Sequence, residues 1–92
     1  MAAAEMHSLF FDTNGSLWAA GKNDFGQLGD GTTTNQTIPV QVVASGVTEV
    51  SKSQKSSYYL DVNGSLWAMG KNNRGQLGDG TTTERSVPVQ IV

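Results

Sequence analysis

The sequence predicts an all-β protein made of two copies of one unit, and two observations support this fold class. The stretch GSLWAAGKNDFGQLGDGTTT at residues 15–34 returns as GSLWAMGKNNRGQLGDGTTT at residues 64–83, an offset of 49 residues. A fixed period of about 50 residues is typical of solenoids, propellers and other arrays. The chain is also rich in Gly, Thr and Asn and poor in Glu and Lys, which favours strands and turns over helices.

Each copy begins with a predicted antiparallel hairpin. In the first copy, strands 7–12 and 16–20 are joined through Asn14-Gly15. This dipeptide favours a tight type I′ turn, in which both central residues have positive φ. Both strands carry apolar residues on both faces, which predicts that they are covered on both sides. The same hairpin recurs in the second copy with strands 56–61 and 65–69.

A long polar segment, residues 21–37, follows the first hairpin and has a close copy in the second unit. Because the segment is repeated, we expect an ordered loop with Leu28 and Leu77 tucked under the two glycine-rich cores. The strands after the loops, 38–43 and 87–92, each carry proline at their second position. Proline cannot donate a hydrogen bond to a ladder, which predicts edge strands.

A short strand at 47–51 completes the second unit with four antiparallel strands. Four-stranded sheets that repeat at this period predict β-propeller blades around a central channel. We expect a first repeat at residues 1–43, without its inner strand, and a second at residues 44–92. Ten of the eleven glycines recur in phase, which predicts backbone with positive φ or close approach. The residues predicted to hold the repeat together are Trp18, Trp67, Leu28, Leu77, Gly15, Gly64, Gly31 and Gly80.

The composition argues against several classes of function. A net charge of −2 and a pI of about 5.0 are unlike a nucleic-acid-binding surface, which needs a basic patch. The chain has no cysteine and therefore no disulfide or thiolate metal site. No apolar run approaches the ~18 residues of a membrane span, and no signal peptide is recognisable. We expect a cytoplasmic protein with no nucleic-acid or membrane partner.

No catalytic, cofactor-binding or metal-binding residues are predicted. His7 is the only histidine, and its counterpart in the second copy is Ser56, which favours a structural role. Asp30 and Asp79 lie in Gly-Asp-Gly turns, where an aspartate typically accepts hydrogen bonds from nearby backbone amides. The sequence therefore predicts a protein that is not an enzyme and needs no cofactor.

The loops are where a partner is expected to bind, because loops on a rigid scaffold carry most binding residues. The two copies differ there at residues 24–25 against 73–74, and at 35–36 against 84–85. Aromatic residues and arginine are favoured at interface hot spots. The candidate partner-binding residues are Phe25, Asp24, Arg74, Asn73, Arg85 and Glu84, and neutral loop variation is the alternative.

Three segments of the first copy, HSLFFDTNGSLWAAG, GQLGDGTTT and PVQV, carry a family resemblance. They closely resemble the repeat of the regulator of chromosome condensation (alpha-tubulin suppressor-like) family of β-propellers, in the form of its bacterial members. The resemblance holds twice in register and covers nearly all of residues 7–92. It implies a propeller, whose closed members usually carry seven blades, and a role in protein binding.

Two blades alone cannot bury both faces of each sheet, because three or more repeats usually form a continuous core. We expect head-to-tail association with copies of this chain, as three chains with six blades or four with eight. A seam at the N-terminus would be filled by a neighbour's strand 47–51 or by a shifted Ala2–Met6. The residues expected on the uncovered faces, in a division that the sequence leaves open, are Leu9, Phe11, Trp18, Tyr58, Leu60 and Trp67.

Three functions remain open from the sequence. The first is a non-enzymatic scaffold that closes into a ring and binds other proteins. The second is an excised or engineered fragment of a longer seven-bladed propeller, with exchange-factor-like or inhibitor-like protein binding. The third is a small-molecule binder at the central channel, although the titratable residues form no repeated acid–base constellation.

Overall fold

The fold consists of two antiparallel sheets. The computed structural model describes residues 7–53 and 55–92, and every regular element in these ranges is a strand. The first sheet has three strands in the order β1-β2-β3, and the second has four in the order β4-β5-β6-β7. The predicted all-β fold, with one four-stranded and one smaller sheet, is confirmed. The proposed pairing of Ala2–Met6 lies outside the described residues. The strands are β1 His7–Phe11, β2 Leu17–Gly21, β3 Gln36–Val43, β4 Val47–Lys52, β5 Ser56–Asp61, β6 Leu66–Gly70 and β7 Arg85–Gln90.

The predicted type I′ turn at Asn14-Gly15 is wrong. Gly15 has a φ of +78°, but no residue other than glycine has positive φ in the described chain. The Asp12 carboxylate instead accepts hydrogen bonds from the amides of Asn14 and Ser16, both over 3.0 Å, and the Gly15 amide donates to the Asp12 carbonyl over 2.9 Å. The result is a turn closed by a left-handed glycine, as in three-residue hairpin loops.

The strands that carry proline are edge strands, as predicted, but they begin earlier. β3 and β7 start at Gln36 and Arg85, two residues before the predicted starts, and β7 ends at Gln90 rather than at residue 92. Their pairing with β2 and β6 shifts register around Pro39 and Pro88. A missing N–H is tolerated at such irregularities, so the strands continue through the prolines.

The core lies between the two sheets. Its buried cluster consists of Leu17, Val47, Tyr59 and Met69. The Tyr59 ring stacks on Trp67, with centroids 6.0 Å apart and planes 4° from parallel. Burying one such large apolar side chain contributes about 1.5–3 kcal/mol, so this cluster holds the two sheets face to face. The partly buried residues around it are Leu9, Val42, Val43, Val50 and Trp67.

The strand register divides the apolar residues between the covered and the uncovered faces. Opposite residues of an antiparallel pair share a face, and Leu9 and Phe11 lie opposite Ala19 and the core residue Leu17. Leu9, Phe11 and Trp67 therefore lie on the covered faces, although Phe11, at the end of its strand, is 40% exposed. The expectation that each strand is covered on both sides does not hold within the described part of the chain, where each sheet packs against one other sheet.

The uncovered faces carry the remaining aromatic and aliphatic residues. On the first sheet, Phe10 lies opposite Trp18 and is 46% exposed; we call this pair the leading face. On the second sheet, Tyr58, Leu60 and Leu66 line an apolar hollow of about 300 Å³; we call these three residues the trailing face. The division that the sequence left open is thus fixed by which side of each sheet meets the other.

Candidate functional site

The first long loop is organised around the side chain of Asn23, which is fully buried. Its Nδ2 donates to Asp30 Oδ1 over 3.1 Å and to the carbonyls of Thr32 and Thr34, both over 3.0 Å. Its Oδ1 accepts from the Leu28 amide over 3.0 Å. One side chain therefore joins both halves of the loop, which makes the loop a rigid surface although it has no strand.

The second loop repeats this arrangement around Asn72, which is also fully buried and bonded to the equivalent atoms. The predicted anchors Leu28 and Leu77 are buried as expected. Sequence reasoning missed the two asparagines. The signal was present in the repeated tripeptide GKN, at residues 21–23 and 70–72.

The two Gly-Asp-Gly turns behave as predicted. Asp30 and Asp79 each accept a hydrogen bond from a local amide, that of Thr32 over 3.0 Å and that of Thr81 over 2.9 Å. Hydrogen bonding by Thr81, chiefly through its hydroxyl, holds the pKa of Asp79 well below its usual range. Partial burial raises the pKa of Asp30, but hydrogen bonds led by Thr32 outweigh it and leave that pKa lowered.

Arg85 braces the second loop. Its Nε forms a salt bridge of 2.9 Å with Asp79 Oδ2. Its counterpart Gln36 makes the equivalent contact, with Nε2 donating to Asp30 Oδ2 over 3.1 Å. The structure therefore gives Arg85 a local partner, and its proposed role in binding another protein stays a prediction.

The two repeats meet at what we call the intrachain junction. The Val47 amide donates to the Gly15 carbonyl over 3.0 Å, and the Gly31 amide donates to the Ser86 carbonyl over 2.7 Å. Close backbone approach makes these bonds possible: a Cβ added to Gly15 would lie 2.8 Å from the Gly46 nitrogen. The junction is thus built on backbone contacts as well as on apolar packing.

A buried polar chain crosses the same junction. The Ser57 hydroxyl donates to the Gln27 carbonyl over 2.5 Å, so it accepts from His7 Nε2 over 2.7 Å. His7 Nδ1 is buried without a hydrogen-bond partner among the described residues. Burial, reinforced by the charge of Lys52, lowers the pKa of His7 to about 4. His7 is therefore neutral at pH 7 and serves the junction, which agrees with its expected structural role.

The candidate partner-binding residues lie in different surroundings, and two of them, Asn73 and Arg74, line one cavity. Phe25 is half-buried at the intrachain junction, with Lys55 Nζ 5.1 Å and Lys71 Nζ 4.8 Å from its ring centre. Asp24 Oδ1 accepts from Gln27 Nε2 over 3.3 Å within the loop. The candidates with exposed side chains on the second repeat are Asn73, Arg74 and Glu84. Their role in binding stays a prediction.

Two glycines of the first repeat are closely packed at the intrachain junction, whereas their counterparts in the second repeat are not. A Cβ added to Gly26 would lie 2.6 Å from Ser86 Cα, whereas the nearest atom to one on its counterpart Gly75 is the Thr81 carbonyl at 3.8 Å. Gly15 is tightly packed, but no atom of residues 7–53 and 55–92 lies within 4 Å of a Cβ on its counterpart Gly64. Among the described residues, nothing therefore covers the surface of the second repeat that corresponds to the surface the first repeat uses inside the chain.

No group of three or more His, Cys, Asp or Glu side chains in the described ranges could hold a metal ion. Residues 7–53 and 55–92 contain no helix long and apolar enough to cross a membrane.

These observations define the class of the protein. Two antiparallel meanders, packed face to face and each with the same ordered loop before its last strand, are a pair of β-propeller blades. The Regulator of chromosome condensation (RCC1) repeat model matches residues 14–58 and 63–92, and the chain belongs to this family. The division into repeats at residues 43 and 44 stays a prediction.

Solved structures of larger proteins show the same fold. Human WBSCR16 matches with a TM-score of 0.80 and 24% identity over 92% of this chain and 23% of its own. Prp20p from Saccharomyces cerevisiae matches with a TM-score of 0.85 and 21% identity over 96% of this chain and 24% of its own. Yeast RCC1 (Prp20) bound to Kap60 matches with a TM-score of 0.80 and 21% identity over 95% of this chain and 21% of its own. The chain spans less than a quarter of these proteins, and no curated protein sequence matches it.

Proposed function

We propose that this chain is a non-enzymatic protein-interaction scaffold that associates head to tail with copies of itself into a ring of three or four chains. One observation carries the proposal: each chain leaves uncovered, on its two outer sides, the counterparts of both apolar faces that meet at its own intrachain junction. Contacts of this kind between two different surfaces close into rings when the rotation permits.

The trailing face is the repeat counterpart of the covered face of the first sheet. At the offset of 49 residues, Leu60 corresponds to Phe11, and Leu66 to the core residue Leu17. A second copy that placed its own sheet against the trailing face would bury the apolar hollow there. Removing such apolar area from water contributes about 25 cal/mol per Å².

The leading face is the repeat counterpart of the covered face of the second sheet. Phe10 corresponds to Tyr59 and Trp18 to Trp67, the pair that stacks against the core. Each tryptophan donates to the aspartate of its hairpin turn, Trp18 to Asp12 over 3.4 Å and Trp67 to Asp61 over 3.0 Å. The leading face therefore carries the counterparts of the residues that the covered face of the first sheet meets inside the chain, and we expect the trailing face of another copy to pack against it.

The test is the mass of the protein in solution, measured by light scattering over a range of concentrations. The unaltered chain should have the mass of three or four copies. Phe10→Lys on the leading face and Leu60→Lys on the trailing face should each reduce it, since burying an unpaired charge is costly. Thr82→Lys is the matched control, because its counterpart Thr33 stays exposed beside the intrachain junction.

Mixing the two blocked variants tests the head-to-tail geometry. The Phe10→Lys chain keeps its trailing face and the Leu60→Lys chain keeps its leading face, so an equimolar mixture should give dimers and nothing larger. Dimers of either variant alone would contradict the geometry, because they would pair two like faces. A folded wild-type monomer at micromolar concentration would overturn the ring.

A second candidate is that the chain is part of a longer propeller. The observation that favours it is that the chain spans less than a quarter of its structural neighbours. The leading and trailing faces would then be covered by further blades of the same polypeptide. A monomer that unfolds in isolation, and becomes stable when joined to additional repeats, would support this function over self-assembly.

Protein binding is the scaffold's proposed role in either case. Prp20p has binding properties to Gsp1p and histones, and Kap60 is bound to yeast RCC1 (Prp20). We infer for this chain only the general class, a protein partner, contacted through the rigid loops. The side chains proposed to contact it are Asp24, Phe25, Asn73, Arg74, Glu84 and Arg85.

A further inference from the structure

A basic cleft lies beside the trailing face. Its volume is about 360 Å³, and it is lined by Lys55, Lys71 and Arg74. Its polar walls are Ser53, Ser56, Asn73 and Gln76. None of these lining residues is acidic, and the one salt bridge within residues 7–53 and 55–92 joins Arg85 to Asp79. The three cationic residues thus line one cavity, and none of its described lining residues carries a carboxylate.

The fold holds the two lysines close together. The Lys71 amide donates to the Lys55 carbonyl over 3.0 Å. Both ammonium groups approach the Phe25 ring, at 5.1 Å and 4.8 Å from its centre, and an aromatic face attracts such cations. Two like charges on one ring repel each other, and an anion placed between them would relieve that repulsion.

The cleft is a feature of the second repeat and not a requirement of the repeat fold. The counterparts of Lys55 and Arg74 in the first repeat are Met6 and Phe25, and only Lys71 has a cationic counterpart, Lys22. The rigid loop around buried Asn72 follows Lys71 directly and carries Arg74. A preformed cationic cleft that the fold itself does not need indicates a ligand of opposite charge.

We propose that this cleft binds a carboxylate-rich segment of a partner protein. Arginine can grip a carboxylate with two parallel hydrogen bonds, and each lysine adds a point charge. The cleft adjoins the apolar hollow, because the Tyr58 hydroxyl donates to the Gln76 carbonyl over 3.0 Å. A segment with acidic residues followed by an apolar residue fits both.

A protein segment suits the cleft better than a nucleic acid. The chain as a whole has a net charge of −2, which would repel a long polyanion beyond the cleft. The proposal rests on the protein-binding part of the proposed function. The apolar end of the segment and a second copy of the chain would compete for the trailing face, so binding of the segment there and closure of the ring exclude each other.

The probe is a fluorescein-labelled peptide of four glutamates followed by a leucine, with binding measured by anisotropy. The Phe10→Lys chain is used, because its cleft stays open whether or not the wild type assembles. Lys55→Gln, Lys71→Gln and Arg74→Gln should each weaken binding roughly twofold to fivefold. All three together should weaken it by at least about tenfold, and added salt should weaken binding to the parent chain.

Lys22→Gln is the matched control, since it removes the same charge from the first repeat, and it should leave binding unchanged. Equal weakening by Lys22→Gln and Arg74→Gln would overturn the site, as would equal binding of a peptide with glutamines in place of glutamates. Tighter binding of a nucleic acid of equal charge would overturn the choice of partner. The mass measurement is separate, so loss of the ring and loss of peptide binding are told apart.

Discussion

At the residue scale, single buried side chains decide the shape of the loops. Asn23 and Asn72 lie in otherwise glycine-rich and threonine-rich stretches and are fully buried. A buried amide is stable only when its donors and acceptor are paired, and here the backbone of the loop supplies the partners. Each loop is therefore held by hydrogen bonds to one asparagine side-chain amide, in addition to apolar packing.

Replacing Asn23 by alanine should destabilise the protein markedly. The change leaves the buried Leu28 amide without its partner, which costs about 1–3 kcal/mol, and it also breaks the hydrogen bonds to the carbonyls of the exposed residues Thr32 and Thr34. We expect the free energy of unfolding to fall by about 2–4 kcal/mol in urea denaturation. Asn14→Ala, in an exposed turn, should cost far less. Similar losses for both would contradict the role assigned to Asn23.

His7 should make the stability of the protein depend on pH. Its pKa is lowered from 6.5 to about 4 in the folded chain. Between these values the unfolded chain binds a proton that the folded chain does not, so the free energy of unfolding falls as the pH drops. The loss is at most ~1.4 kcal/mol per pH unit.

Urea denaturation at several pH values between 6.5 and 4 measures this loss. His7→Ser, which copies the residue at the equivalent position 56, has no imidazole and should show a much flatter dependence in that range. An unchanged slope in the variant would show that another group is responsible.

At the element scale, the hairpins show which expectations follow from local chemistry. Their strands appear where the apolar runs predict them, because those runs are local in sequence. The turn type does not follow from Asn14-Gly15, because the Asp12 carboxylate competes for the turn amides and leaves only the glycine left-handed. The early start of β3 likewise depends on Gly21 pairing with Gln36, a contact that is not local.

Two matched glycine substitutions should distinguish the free-energy cost of backbone strain in the turn from the cost of a steric clash at the intrachain junction. Gly15 and Gly64 have nearly the same φ, +78° and +80°, so alanine at either pays the same left-handed strain of about 1–2 kcal/mol. Only at Gly15 would the new Cβ also lie 2.8 Å from the Gly46 nitrogen. Overpacking of this kind costs about 1–3 kcal/mol more. Urea denaturation should therefore show Gly15→Ala as the less stable variant, and equal losses would contradict the close approach.

At the scale of the whole molecule, the two uncovered faces are the main structural feature. The trailing face corresponds to the covered face of the first sheet, and the leading face corresponds to the covered face of the second sheet. Inside the chain these two covered faces pack against each other. The apolar residues that the sequence left undivided fall into a covered set and an uncovered set only once the sheets are paired. The ring and the extended propeller both cover the uncovered set, and association measurements distinguish them.

A glycine pair should also report on association. At the intrachain junction a Cβ on Gly26 would lie 2.6 Å from Ser86 Cα, and in a ring Thr37 of the next chain would stand at that position beside Gly75. We therefore expect Gly75→Ala to weaken association by about tenfold or more in light-scattering titrations. Gly80→Ala is the control: it has a similar φ, and a Cβ on its counterpart Gly31 makes only an ordinary contact at 3.8 Å. Equal effects of both changes would contradict the proposed contact.

The sequence by itself determined the repeat, the all-β class, the edge position of the proline strands and the burial of Leu28 and Leu77. Each of these depends on a pattern read within one repeat or on the spacing between the two. Tertiary structure alone decided that Asn23 and Asn72 organise the loops and which aromatic residues stay uncovered. It also brought Lys55, Lys71 and Arg74 to one cleft. The physical reason is that burial, hydrogen-bond pairing and charge clustering depend on atoms far apart in the chain, which only the packed sheets bring together.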